Sequence, residues 1–330
     1  MGEGIIFMVE YDLNCKEKVM ENNVTKERIS LLAKKKVKMK GIDIVFIIAM
    51  LAIPIIHWFV FWLYVNASSI LLAFQIPTGE WSLVSLQQVF RDLFTQTTDK
   101  VSPLIIAIEN SVIYFVKDVF MLPVQLLVAY FLYKKVKCYR FFQIIFYLPA
   151  IISGVAMANM FTRLIRFDGP IGILLGKFGV DPIPAFFQNS AYATNTIMFY
   201  SIWLGFGGQM LLFGGALARI PLDVLESARL DGITTFKEFI FIIFPLVWGT
   251  MSTILILTMT QIFAMSGPIL LFTNGAFDTQ TIGFWIFDKV RYGASYYNEV
   301  AAAGLVFTCV GVPIILFLKW LIEKIPTVEY

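Results

Sequence analysis

Histidine is nearly absent from this chain, with His57 alone among 330 residues. Cysteine is scarce too. Cys15, Cys138 and Cys309 lie far apart, without CxxC or Cys/His spacing. Neither a disulfide framework nor a metal site is suggested. His57 sits in an apolar run and reads as a packing residue. Charge is also in short supply, at 15% of residues against about 25% in soluble domains. A net charge of +3 is too small to argue for nucleic acid as a partner. The motifs of common chemistry are missing as well. GPIGILLGKF, at Gly169–Phe178, comes nearest to a phosphate-binding loop. It lacks the first glycine at the required spacing and has Phe178 where Ser or Thr holds Mg²⁺. No HExxH or GxSxG stretch occurs. The chain is therefore not expected to be an enzyme or to hold a cofactor of its own.

What is abundant is apolar sequence, 58% of residues with a mean hydropathy of +0.76. Six blocks are long enough to cross a bilayer, which takes about 20 helical residues. They run over Ile42–Val65, Ala107–Tyr133, Phe141–Phe161, Thr194–Leu217, Leu246–Met265 and Glu299–Leu321. The runs are continuous rather than alternating, which argues against a β-barrel. The expected fold class is an all-α integral membrane protein of six transmembrane helices. The first block follows about forty mostly polar residues, the wrong order for a cleavable signal peptide.

Lysine and arginine orient the spans. Five lysines fall within Lys34–Lys40, just before the first block, and KKVKCYR follows the second. Placing those segments inside puts both termini and the Arg219–Phe244 loop in the cytoplasm. Three loops of about thirty residues or more then lie outside, at Asn66–Pro103, Thr162–Ala193 and Ser266–Asn298. Polar residues within spans are costly and informative. Lys117 and Asp118 sit mid-block and point about 100° apart, so each is expected to face a neighbouring helix or a wet cavity. Thr258, Gln261 and Met265 share one face of a helix, and Tyr200 and Trp203 share a turn, with Gln209 following. Aromatic rings beside amides suit a sugar, through stacking and hydroxyl hydrogen bonds. These six residues are candidates for a substrate path, with ordinary helix packing as the alternative.

One segment stands apart. ESARLDGITTFKEFIFIIFP, from Glu226 to Pro245, is charged and glycine-broken between two hydrophobic blocks. Pro221 suits a first helical turn, and a helix is expected over Pro221–Leu230. Gly232 is expected to stop it in a left-handed conformation. Thr235 through Glu238 reads as a capping box starting a second helix, and Pro245 falls where the fifth span begins.

The order Glu226-Ser227-Ala228, then Gly232, Ile242 and Pro245, resembles the EAA signature of permease subunits in binding-protein-dependent ABC importers. Ser227 stands where alanine is usual and Phe244 where leucine is usual, while Asp231 keeps the common residue before the glycine. Asn110-Ser111 looks like the family's Asn-Thr. FFQIIFYLPAIIS at Phe141–Ser153, DGPIG at Asp168–Gly172 and FTNGAFDTQT at Phe272–Thr281 are similar to segments of its carbohydrate-uptake branch. The resemblance covers about Asn110 to the C-terminus. It implies the type I ABC importer permease fold and the transport of a sugar or oligosaccharide. It also implies as partners a second permease, two cytoplasmic ATPases that bind the ATP, and an extracellular solute-binding protein. Glu226, Ser227, Ala228, Asp231, Gly232, Ile242 and Pro245 would form the ATPase-coupling loop. The implied organisation is a basic cytoplasmic tail at 1–40, a first span and external loop at 41–106, a transmembrane domain at 107–321 with its coupling loop at 218–245, and a cytoplasmic tail at 322–330. An importer for a non-sugar solute, or a membrane scaffold subunit, remain as other readings.

Overall fold

A computed structural model describes residues 41–94 and 101–326 of the chain. The expected basic N-terminal tail and the last residues of the C-terminal tail lie outside them. The described residues are helical almost throughout, and their single β feature is an isolated bridge between Gln75 and Trp81. In chain order the helices are α1 (Gly41–Ala73), α2 (Val84–Phe94), α3 (Pro103–Tyr133), α4 (Tyr139–Ile151), α5 (Gly154–Ile165) and α6 (Pro170–Lys177). There follow α7 (Ser190–Leu217), α8 (Leu222–Leu230), α9 (Thr235–Gln261), α10 (Ile269–Phe272), α11 (Ile282–Tyr292) and α12 (Ala294–Glu323). Five of them, α1, α3, α7, α9 and α12, are each long and apolar enough to cross a membrane. α4 and the Gly154–Lys177 segment make a sixth as a broken pair. The protein is a multi-pass, all-α membrane protein.

The chain divides into two units at Ala67–Ser68. In the first, a π-turn at Trp58–Tyr64 widens the helix, Trp58 stacks on Trp62 at 5.2 Å, and the Asn66 amide donates to the Trp62 carbonyl at 2.6 Å. In the second, residues 68–94 pack with the bundle. The reason is apolar complementarity, since Ala73 and Val89 are buried in one cluster with Leu104, Ala107, Trp285, Ala302 and Ala303.

The third apolar block is not the continuous helix its composition suggests. It bends by 114° between α4 and α5. Ile152 and Ser153 are both extended there, with ψ of 148° and 129°, and Pro149 in the last turn of α4 has no N–H to offer the ladder. The Tyr200 hydroxyl donates to the Gly154 carbonyl at 3.3 Å beside the break. α4 then lies against α7. A Cβ on Gly207 would come within 2.5 Å of the Phe146 carbonyl oxygen, and Phe146 stacks on Phe206 at 5.0 Å. Between helices in lipid, close approach of this kind replaces the hydrophobic drive that operates in water.

Candidate functional site

Lys134, Lys135, Lys137, Arg140, Arg219 and Lys237 lie in the connections and adjoining helix ends at one end of the spans. The positive-inside rule makes this the cytoplasmic end. The segment from Glu226 to Pro245 is built there from its own local chemistry. α8 runs Leu222–Leu230, and its buried side is Leu225 and Ala228. Glu226, Ser227 and Asp231 are exposed. After α8 the chain reverses. The Asp231 N–H bonds to the Ser227 carbonyl, the Ile233 N–H reaches back to Ala228 at 3.3 Å, and Gly232 takes a φ of +71°. That is a helix stop closed by a left-handed glycine, at a φ a side chain would strain.

Beyond the turn the structure revises one expectation and extends another. First, Thr235 through Glu238 is not a capping box. Thr234 is the N-cap, and its side chain makes no capping hydrogen bond. Glu238 turns away from the helix start, and its Oε2 meets Lys134 Nζ at 2.7 Å. A buried carboxylate gains more from an ammonium than from a backbone amide. Second, the helix expected to lead into the membrane runs on unbroken as the fifth span, so that the two are one helix, α9. A π-turn at Phe239–Ile243 precedes Pro245, and the Phe244 N–H bonds to the Phe239 carbonyl. The widened turn accommodates the proline ring and its missing donor without breaking the rod. Ile242 is half-buried on that turn, and Ile243 is fully buried.

Lys134 caps the cytoplasmic end of α3, where a cation also suits the helix dipole. Glu238 is 2% exposed, and its Oε1 has no protein partner. Breaking such a buried pair by removing one partner costs about 3–5 kcal/mol. The Tyr130 hydroxyl donates to the Thr235 carbonyl at 3.4 Å, and the Tyr130 and Phe239 rings sit 5.5 Å apart. The sequence marked Glu238 only as a helix-start residue and Lys134 only as part of a basic run, and did not pair them. Their separation of 104 residues leaves no local signal.

The path candidates are more scattered. Tyr200 is fully buried, with Phe161 at 5.1 Å and Phe272 at 4.9 Å, and offers a sugar no free face in this conformation. Trp203 lies at the rim of the same ring cluster, 6.3 Å from Tyr200. Gln209 has its Oε1 buried without a partner. Thr258 donates to the Ile254 carbonyl of its own helix. Gln261 is exposed and ends α9, so the shared face does not extend to Met265. Met265 lies past the helix end, where its carbonyl accepts from the Thr281 hydroxyl. Lys117 donates to Asn195 on α7 at 3.2 Å.

At the outer end, two stretches noted separately in the sequence meet. The Asn110 amide donates to the carbonyls of Asp278 and Gln280, at 2.7 and 2.8 Å. The Ser111 hydroxyl donates to Ala107 and accepts from the Ile282 N–H. The 272–281 loop is thereby pinned to α3. Nearby, Lys289 bonds to Glu299 at 2.8 Å and lies 5.3 Å from the Trp285 ring centre. Burial, and next the Glu299 charge, hold the Asp92 carboxyl above its ordinary range.

No family model matches the chain. Among curated proteins it is 32% identical over 151 residues to the probable ABC transporter permease protein YesP of Bacillus subtilis, covering 46% of this chain and 48% of YesP. It is 29% identical over 196 residues to the galactooligosaccharides transport system permease protein GanP of the same organism, 56% of this chain and 46% of GanP. The maltose/maltodextrin transport system permease protein MalF of Yersinia pestis is 31% identical over 185 residues, 52% and 34% of the two chains. The chain thus spans about half the length of the first two relatives. Its backbone superimposes with a TM-score of 0.71, at 23% identity, on a chain of the crystal structure of a bacterial ABC transporter involved in the import of the acidic polysaccharide alginate, covering 85% of this chain and 96% of that one. This is the ABC importer permease fold. GanP and MalF are by name permease proteins of galactooligosaccharide and maltose/maltodextrin transport systems. Within this permease fold, α8 and its glycine turn stand at the basic end of the spans.

Proposed function

We propose that this chain is the permease subunit of an ATP-driven importer in a bacterial cell membrane, carrying a sugar or oligosaccharide. In this reading a second permease completes the path, and an extracellular solute-binding protein delivers the cargo. Two cytoplasmic ATPases bind and hydrolyse ATP, and this chain holds no cofactor and catalyses no reaction. The observation that carries the reading is the surface of the Glu226–Pro245 loop. Leu230 and Phe236 within it, and Leu222 just before it, are 89%, 64% and 64% exposed at the basic end of the spans. Large apolar side chains left open to water mark a docking surface. α8, with Glu226, Ser227, Ala228 and Asp231, would seat in an ATPase, Gly232 would set the turn, and Ile242 and Pro245 would join the contact to the fifth span. The permease relatives support the same reading. Trp203, Gln209, Thr258 and Gln261 are proposed to reach the path. Tyr200 and Met265 would support the path from behind.

The test is purification of the tagged full chain from its own membranes. An ATPase is expected to copurify. Gly232→Pro forces φ near −65° where +71° is needed. It is expected to leave the chain in the membrane and cut the bound ATPase at least about tenfold, equivalent to ~1.4 kcal/mol of contact. An unmodified chain that brings down no ATPase, or a Gly232→Pro variant that brings down as much, would sink the reading.

A further inference from the structure

We propose that Lys134 and Glu238 are positioning residues that bolt the root of α9 to the cytoplasmic end of α3, so that the two spans move as one body when α8 is pushed. The proposal rests on the transporter reading for its purpose, and on geometry for the bolt itself. α8 is joined to α9 through a turn whose left-handed residue, Gly232, has open space around it, with nothing within 4 Å of where a Cβ would stand. A turn of that kind, alone, is a hinge. Along the backbone, a push on α8 passes through Gly232 into the first turn of α9 alone. Rigid-body transmission needs a second attachment on the far side of the turn.

The structure supplies it immediately after the turn. Lys134 closes α3, and its Nζ lies 2.7 Å from Oε2 of Glu238 in the first turn of α9. Tyr130 adds its hydroxyl bond to the Thr235 carbonyl, and its ring lies 5.1 Å from the same ammonium. Leu225 of α8 is buried in the same core as Tyr130, Leu132, Phe239 and Ile243. α8, the root of the fifth span and the foot of the second span thus share one apolar cluster, and the ion pair ties α9 to α3 beside it. The bareness of Glu238 Oε1 makes the pair asymmetric. With no other protein partner, the carboxylate depends on Lys134, so loss of the ammonium leaves a buried charge that must find water or move. The pair lies outside the motif positions 226, 232, 242 and 245, so the motif can be intact while the bolt is missing.

The bolt is tested on the full chain in lipid nanodiscs, with Cys15, Cys138 and Cys309 replaced by serine. Spin labels at Val136→Cys and Phe241→Cys, both exposed, report the distance from the foot of α3 to the root of α9. One narrow distance is expected in the unmodified pair. Glu238→Gln, which keeps size and removes charge, and Lys134→Met are expected to lose the single narrow peak, while Lys134→Arg keeps it. In complex with its ATPases, trapping with ATP and vanadate is expected to leave the distance unchanged, and to shift it in Glu238→Gln. A peak as narrow in Glu238→Gln as in the parent overturns the bolt. So does an equal broadening in Lys134→Arg, which would indicate packing rather than charge. Failure of Glu238→Gln to accumulate in the membrane also overturns it, since the pair would then serve folding. A chain that binds no ATPase refutes the transporter reading, while the distances in the chain alone still decide the bolt.

Discussion

Asn110 uses both amide protons to hold a loop that begins more than 160 residues further along the chain. Within a span, an amide without partners would cost its desolvation, and here both donors are met by backbone carbonyls that themselves need donors. Asn110→Ala strands the Asp278 and Gln280 carbonyls and is expected to cost about 2–4 kcal/mol, two lost bonds of roughly 1–2 kcal/mol each. Thermal unfolding in detergent would show it as a lowered midpoint. Asn110→Asp should be as damaging, because a carboxylate has no proton for a carbonyl to accept. An unchanged midpoint in both would mean that the loop is held by Ser111 and Thr281 instead. The sequence marks Asn110 and the 272–281 stretch as notable residues, but nothing local says that one grips the other.

At the scale of elements, the break between α4 and α5 and the unbroken α9 are two sides of one rule. A proline in an apolar run tells where the hydrogen-bond ladder is weak, but not whether the helix bends there. At Pro149 two extended residues follow within four positions, and the Tyr200 hydroxyl is at hand for the Gly154 carbonyl. At Pro245 a π-turn takes up the strain and the rod continues. The packing of α4 on α7 allows a prediction at the same scale. Gly207→Ala places a methyl carbon against the Phe146 carbonyl, where the spacing allows 2.5 Å. Overpacking of this kind costs about 1–3 kcal/mol. The variant should unfold at lower denaturant concentration with an unchanged slope, whereas the same change at Gly208, which meets nothing within 4 Å, should not.

Across the whole molecule, the distribution of charge makes a claim that can be read without any substrate. Cys138 is exposed in the connection between α3 and α4, among Lys134, Lys135, Lys137 and Arg140. With Cys15 and Cys309 replaced by serine, a membrane-impermeant maleimide should label it in inverted vesicles and not in intact cells. Labelling from the outside would invert the topology and remove α8 from the cytoplasm. The same measurement would then move the proposed ATPase surface to the wrong side of the membrane, so the topology and the function stand or fall on one cysteine.

The spans, their orientation and the glycine turn at Gly232 follow from sequence alone. Long apolar runs, the excess of lysine on one side and a left-handed stop are local or additive properties, and each can be read within a few residues of where it acts. The bent third span, the continuity of α9, the burial of Tyr200, the grip of Asn110 on the 272–281 loop and the Lys134–Glu238 pair were decided only by tertiary structure. Each depends on which partner a polar group or an aromatic face finds across the bundle. In a medium that offers no water, that partner is set by the three-dimensional neighbour and not by the residue next in the chain.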